Sequence, residues 1–312
     1  MEVVRSIKKL NTEKKTAVAV GYFDGMHLGH QELIRRMMRY AENNDLVSAI
    51  LTFDMQSLRA EGKGKHDLFP REYTMHLAEK EGINYYIDLP FEEIRDLDPD
   101  QFAYKVLGGH FLRSDAVFCG DDFRYGKDRA GTTESLLLEG KSNSFSVHVV
   151  ESVTIGGEVI STTKIKELMK AGNVREANRM LGKPYSLYGE VIHGNHLAQG
   201  MGFPTANIVM PDSILPPRKG VYLTETVYSG NIYRSITNIG TRPTITDDVE
   251  STAETHILNF AGSVYGQEIT VLFYEFIRPE KRFNGKDELI RTVQENIKYA
   301  RNAEIDRFDI KR

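Results

Sequence analysis

Two hydrophobic rhythms divide this chain of 312 residues, and the change from one to the other limits it to two kinds of architecture in series. Through about residue 150, short apolar runs alternate with helix-spaced stretches. Residues 16–21, 47–53, 84–89, 116–120 and 146–151 read as buried strands, and 31–42, 71–81, 99–107 and 133–140 as the helices between them. Alternation of this kind predicts a parallel sheet, because a crossover helix must carry the chain back before each new strand. Ligands of such sheets bind beyond the carboxyl ends of the strands. Two more helical stretches follow, 163–170 and 173–181, and Gly182-Lys183-Pro184 ends the pattern. Beyond it, strand-like runs at 185–192, 220–228, 232–239, 255–260 and 268–276 recur with glycine between them and no helix-length pattern. Short strands with turn signals predict an antiparallel barrel. In the tail, 286–301, Leu289, Ile290, Val293 and Ile297 fall at helical spacing and predict a terminal helix that packs on the barrel. The expected fold is α/β plus β, with a parallel α/β domain over 1–182 and an antiparallel β-barrel with a terminal helix over 183–312.

Composition narrows the function classes. The net charge of −4 argues against a general nucleic-acid binder, which needs a basic excess or patch. No apolar run approaches the roughly 20 residues that cross a bilayer. The first ten residues lack the apolar core of a signal peptide. Cys119 is the single cysteine, so no internal disulfide can form, which suits a reducing cytoplasm. Oligomeric state is not legible in the sequence. His66, His76, His110 and His148 are scattered, without partners at metal-ligand spacing.

The densest signal is Gly21-Tyr22-Phe23-Asp24-Gly25-Met26-His27-Leu28-Gly29-His30. It joins the first strand to the first helix. Free backbone N–H groups and the positive end of the helix dipole make such a point a phosphate site. Histidines there can hydrogen-bond a phosphoryl oxygen as charge builds, which suits attack on the α-phosphate of a nucleotide. The plainer alternative is a strand-to-helix turn with solvated histidines. A second cluster, Gly120 to Gly131, should lie on the same sheet edge. It holds Asp122, and its Arg124, Lys127 and Arg129 can meet phosphates, or the segment is an ordinary polar loop. A third, Ile160-Ser161-Thr162-Thr163-Lys164-Ile165-Lys166, offers helix N-caps. The same hydroxyls and N–H groups can hold a triphosphate, with Lys166 one turn in. In the second half, Gly202-Phe203-Pro204-Thr205-Ala206-Asn207-Ile208 sets Thr205 and Asn207 two apart, on one face of a strand. A hydroxyl and an amide oxygen side by side suit Mg²⁺, and equally serve as turn residues.

The first run, G-x-F-D-G-x-H-x-G-H, resembles the signature of nucleotidyltransferases, and in this longer form the adenylyltransferase half of bacterial bifunctional riboflavin kinase/FAD synthetases. The 120–131 cluster resembles that family's G-x-D/N-F-x-F-G segment, and 160–166 its I-S-S-T-x-I-R. Gly220-Val221-Tyr222, Asn238 to Thr244, Glu254-Thr255-His256-Ile257-Leu258 and Tyr265-Gly266 look like riboflavin kinase motifs in the right order. The resemblance implies a nucleotidyltransferase-like first domain that joins FMN to the AMP part of ATP, giving FAD. It implies a second domain that phosphorylates riboflavin to FMN, with Mg²⁺ and ATP. It further implies Glu254, His27 and His30 as catalytic residues. Gly21, Phe23, Asp24, Gly29, Asp122, Arg124, Ser161, Thr162, Thr163, Lys166, Gly194 and Gly202 are implied as ATP or phosphate contacts, and Thr205 and Asn207 as metal ligands. The chain departs from the family pattern at Met55-Gln56-Ser57, at Lys166 in place of arginine, and at Ala198-Gln199. An enzyme with one active half, or a flavin-binding sensor without chemistry, are the alternatives these departures leave.

Overall fold

The fold is taken from a computed structural model, which describes every residue except 8, 9, 11, 56–65, 110, 194–202, 244–248, 307 and 309–312. Packing divides the chain into two compact units, Met1–Lys65 with Pro70–Ile160, and His66–Phe69 with Ser161–Arg312. The units therefore part between Ile160 and Ser161, ahead of the change in sequence texture at Gly182.

The first unit is a six-stranded parallel sheet made of β1 (Glu2–Val4), β2 (Thr16–Val20), β3 (Val47–Asp54), β4 (Tyr85–Pro90), β5 (Ser114–Gly120) and β6 (Ser146–Val150). Across the sheet the order is β1-β4-β3-β2-β5-β6. From β2 the chain steps outward to β3 and β4, then returns to lay β5 on the other side of β2. The strand order thus reverses between β2 and β5, the place where open α/β sheets bind ligands. All five residues of β2 are buried. Ala17 and Ala19 join one core layer with Leu33, Ile34 and Met37 of helix α1 (Leu28–Asn43), while Val18 and Val20 join the layer on the opposite face. Burial on both faces explains why this strand is a continuous apolar run rather than an alternation.

Helices α2 (Arg71–Lys80), α3 (Pro99–Phe102) and α4 (Thr133–Ser142) supply the crossovers. The single helix expected over 99–107 is two pieces, because the chain widens into a π-turn at Ala103–Leu107 immediately after α3. Three short elements were not legible beforehand. The edge strand β1 is only three residues long and mostly exposed. Strands β7 (Thr154–Ile155) and β8 (Glu158–Val159) form a two-residue hairpin over Gly156 and Gly157, both at positive φ. Consecutive residues at positive φ are the glycine-favoured turn whose twist matches a hairpin.

The second unit opens with helices α5 (Thr162–Ala171) and α6 (Val174–Leu181). Six antiparallel strands follow, β9 (Tyr185–Glu190), β10 (Ala206–Val209), β11 (Gly220–Tyr228), β12 (Asn231–Pro243), β13 (Val249–Ile257) and β14 (Glu268–Pro279). Their order, β10-β13-β12-β11-β14-β9, is that of a nearly closed barrel. The two edges meet where the Ile192 N–H donates to the Asn207 carbonyl at 2.9 Å. The terminal helix α7 (Lys286–Asn302) buries Ile297 and Ala300 against Val221, Leu223, Ile236 and Leu272 on the outside of the sheet, as the helical spacing predicted. Residues facing the other way carry hydroxyls. Thr224, Thr226, Ser235, Thr237 and Thr255 are fully buried and joined by hydrogen bonds of 2.8–2.9 Å.

Helix α6 is fastened to the barrel by one buried side chain. Asn178 Nδ2 donates to the Phe273 carbonyl and its Oδ1 accepts from the Tyr185 N–H, both at 2.7 Å. Phe273 and Tyr185 are themselves partners in the β14–β9 ladder. Replacing Asn178 by alanine orphans two buried backbone groups at once. The expected loss is about 2–4 kcal/mol of stability for this unit, read from urea denaturation followed by tyrosine fluorescence.

Candidate active sites

The turn after β2 is built tightly. Gly21 N–H donates to the Leu51 carbonyl, Phe23 and Met26 are buried to 2% exposure, and Asp24 is also buried. Gly25 and Met26 both take positive φ, 87° and 45°. Methionine is uncommon there, and burial of its side chain offsets the backbone strain. The turn delivers His27 to the N-cap of α1. Its Nδ1 accepts from the His30 N–H at 3.3 Å, the capping role usually filled by a serine or aspartate oxygen. An accepting Nδ1 puts the ring proton of the neutral form on Nε2, leaving that nitrogen as a donor. The His27 and His30 rings stack with centroids 3.6 Å apart, and Phe23 packs edge-on to His30 at 5.1 Å.

Gly29 sits close against the His27 ring. A Cβ at that position would lie 3.1 Å from His27 Cε1 and 3.2 Å from Nδ1, so any larger residue displaces the imidazole.

The loop after β5 lies beside this turn, because β2 and β5 are hydrogen-bonded neighbours running in the same direction. Asp121 accepts from the Ser152 hydroxyl at 2.6 Å and the Ser152 N–H at 3.2 Å, and these bonds hold its carboxyl below the usual carboxylate range. The loop closes on Tyr125, whose backbone exchanges two hydrogen bonds with Gly131 and whose hydroxyl meets Ser135 at 3.1 Å. A Cβ on Gly131 would strike the Tyr125 ring at 2.5 Å. Asp122 and Arg124 are exposed on this loop. The same-edge expectation for Gly21 to Gly29 and for Asp122 and Arg124 follows from this register.

A clamp on the same sheet edge leaves no mark in the sequence. Arg71, the first residue of α2, donates from Nε to Asp88 Oδ2 at 3.1 Å, from Nη2 to Asp88 Oδ1, and from Nη1 to the Phe53 carbonyl at 3.0 Å. It ties the ends of β3 and β4 together. No local pattern links residues 17 apart, so only the fold reveals it. Met55 follows directly on β3, while Gln56 and Ser57 lie outside the described residues.

Ser161 caps α5, its Oγ accepting from the Lys164 N–H at 3.2 Å. Thr162 and Thr163 sit in the first turn of that helix and Lys166 one turn in, and packing groups all four with the second unit. Gly194, Gly202, Ala198, Gln199 and His110 also lie outside the described residues.

In the barrel, register brings the residues of the second candidate site into one row. Asn207 of β10 stands opposite Glu254 of β13, which stands opposite Asn238 of β12. Directly opposed residues share a face, so the three form a row across neighbouring strands. Thr205, just before β10, is half-buried, Asn207 is buried and Glu254 is exposed. Asn207 Nδ2 donates to the Thr205 carbonyl at 3.3 Å, which turns the amide oxygen the other way. One hydroxyl and one amide oxygen in succession are hard donors of the kind Mg²⁺ takes. His193, which precedes the Gly194 to Gly202 loop, stacks on Tyr265 with centroids 4.1 Å apart.

Cys119, next to last in β5, is fully buried, and burial first, then the charges of Asp122 and Asp121, pushes its thiol up to about 12. At pH 8 only about one molecule in ten thousand then carries a thiolate. A charged disulfide reagent is expected to leave the native protein unlabelled and to label one thiol on denaturation. Prompt labelling of native protein would contradict the burial.

The chain is similar to known proteins along most of its length. The FAD synthetase family model matches residues 9–164 and the riboflavin kinase family model residues 181–304. A bifunctional riboflavin kinase/FMN adenylyltransferase of Bacillus subtilis is 34% identical over 302 residues, covering 93% of this chain and 94% of the relative. One of Listeria monocytogenes is 33% identical, covering 91% of each. Among solved structures, a chain described as a macrolide-efflux protein from Streptococcus pneumoniae superposes with a TM-score of 0.86 at 27% identity, covering 97% of this chain and 99% of that one. No helix among the described residues is long and apolar enough to cross a membrane. With two family models in series and relatives that align almost end to end, the chain belongs to the bifunctional riboflavin kinase/FMN adenylyltransferase family, its FAD synthetase domain preceding its riboflavin kinase domain.

Proposed function

We propose that this chain makes FAD from riboflavin in two ATP-dependent steps, with residues 183–312 forming FMN and residues 1–182 adenylylating it. The observation that supports the reading is the local geometry of each signature. His27 is held over a helix N-terminus at the strand-order switch, and Glu254 stands in register with Asn207.

In the kinase step, a ribityl primary alcohol attacks the γ-phosphorus of ATP. The alcohol proton passes to the Glu254 carboxylate as the new O–P bond forms, and the bond to the β-phosphate oxygen breaks to release ADP. Thr205 and Asn207 would hold Mg²⁺, which when bound neutralises the charge on the triphosphate. Catalysis by the chain's own groups is then mainly positioning, supplied by the barrel register. Gly194 and Gly202 frame the segment assigned to the phosphates on family resemblance.

In the adenylyl step, an FMN phosphate oxygen attacks the α-phosphorus of a second ATP, and the α–β bond breaks to release pyrophosphate. The attacking group is already an anion, so no base is needed. The task is to bring two anions together, and the α1 N-terminus with the Nε2–H of His27 and the His30 ring provides donors for it. Gly21, Phe23, Asp24 and Gly29 shape that turn, and Asp122 and Arg124 lie across the strand-order switch from it. For Ser161, Thr162, Thr163 and Lys166, a capped helix start and the likeness to the family segment support a role toward the triphosphate.

Glu254→Gln is expected to lower FMN formation about a hundredfold or more while FAD formation from added FMN is unchanged. The pair His27→Ala with His30→Ala is expected to do the reverse, with a loss of about 100-fold to 1000-fold in FAD formation. Gly29→Ala should follow the histidine pair with a smaller loss of about tenfold, because it shifts the ring without deleting it. Product chromatography reads all three. Loss of both activities from either site, in a folded protein, would contradict separate chemistries.

A further inference from the structure

Thr205 lies outside the barrel's hydrogen-bonded ladder. Strand β10 begins at Ala206, and its pairing with β13 starts there too. Pro204, just before, has no N–H, so its carbonyl is the one backbone group by which that residue can be fixed. His256 takes that carbonyl, with Nδ1 and the Pro204 oxygen 2.9 Å apart. A carbonyl only accepts, so Nδ1 carries the hydrogen. The Phe203 ring then packs edge-on to the His256 ring at 5.8 Å and against the apolar cluster of the barrel's outer face. His256 is two residues beyond Glu254 on β13, with Thr255 between them turned inward and fully buried. Glu254 and His256 therefore share one face of the strand.

We infer that His256 is a positioning residue of the kinase site, which fixes the Phe203-Pro204-Thr205 segment and so sets where the Thr205 oxygen stands for Mg²⁺. The inference rests on the proposed metal role of Thr205. It makes β13 the common support of the site, carrying the base at Glu254 and, one position pair further on, the anchor of a metal ligand. An imidazole suits the task because it offers a flat face to Phe203 and a donor at its Nδ1 edge, where a longer cation would reach past the carbonyl.

The test is made on the full chain by following FMN formation from riboflavin as Mg²⁺ is varied at saturating ATP, and, without turnover, by following the Mg²⁺ dependence of riboflavin fluorescence quenching on binding with a non-hydrolysable ATP analogue in place of ATP. The variants are H256N, whose amide N–H can occupy the Nδ1 position, H256Q, whose amide reaches the Nε2 position instead, H256F, which keeps the ring and lacks the donor, and T205V. H256F and H256Q are expected to raise the half-saturating Mg²⁺ concentration about fivefold or more, the effect of one lost hydrogen bond, with H256N within about twofold of the native protein. T205V is expected to raise it further. FAD formation from added FMN should be unchanged in all four. A rise in T205V with none in H256F and H256Q would overturn the inference while leaving the metal site. No rise in T205V would remove the metal reading, and the inference with it. A fall in maximal rate alone, equal in H256N and H256Q, would show a merely structural histidine and overturn the inference as well.

Discussion

The first unit depends on where one helix begins. Strand β2 is buried on both faces, and its partners in the sheet are β3, next in sequence, on one side and β5, far on in sequence, on the other, so the chain leaving it emerges at the switch in strand order. Helix α1 must start there, and its first N–H groups need a partner. His27 gives one of them its Nδ1 and thereby fixes its own tautomer and orientation. The absent side chain at Gly29 leaves the space in which this can happen. Fold and proposed chemistry meet in one contact at this point: the cap that satisfies the helix also orients the imidazole proposed as a phosphate donor.

The second unit reaches a comparable result by register. The bridge that closes the barrel falls on Asn207, so closure itself places the amide proposed as a metal ligand. From there the row runs to Glu254 and Asn238 across two further strands. A one-residue slip of β13 would turn Glu254 to the inside and Thr255 out. The buried hydroxyl chain through Thr255, Thr237 and Thr224 opposes that slip, because an exchanged register would bury a carboxylate and break the chain.

Much of this was legible in the sequence. The apolar run before Gly21, the switch from helix-and-strand to strand-only texture, and the spacing of Leu289, Ile290, Val293 and Ile297 each report a burial pattern that local physics enforces. What stayed hidden depends on distant residues. The Arg71–Asp88 clamp and the His256–Pro204 bond join positions that no periodicity relates. The π-turn after α3 leaves no period in so short a stretch. The packing division at Ile160 goes with the contacts that α5 and α6 make with the barrel segments, Asn178 to the Phe273 carbonyl and Arg175 to Glu275 among them, whereas the sequence marks only the change of texture at Gly182. The glycine at position 29 was recognised by motif, and its reason, the imidazole above it, appears only with coordinates.

The account's central claim is that one chain holds two separate nucleotide chemistries that share FMN. The most direct measurement is chromatography of the purified native protein with ATP and Mg²⁺, supplied in one reaction with riboflavin and in another with FMN. The account requires FMN and then FAD from the first, and FAD with pyrophosphate from the second. Riboflavin left unconverted while FMN goes to FAD would contradict the kinase half, FMN accumulating without FAD would contradict the adenylyl half, and no product in either reaction would contradict the account as a whole.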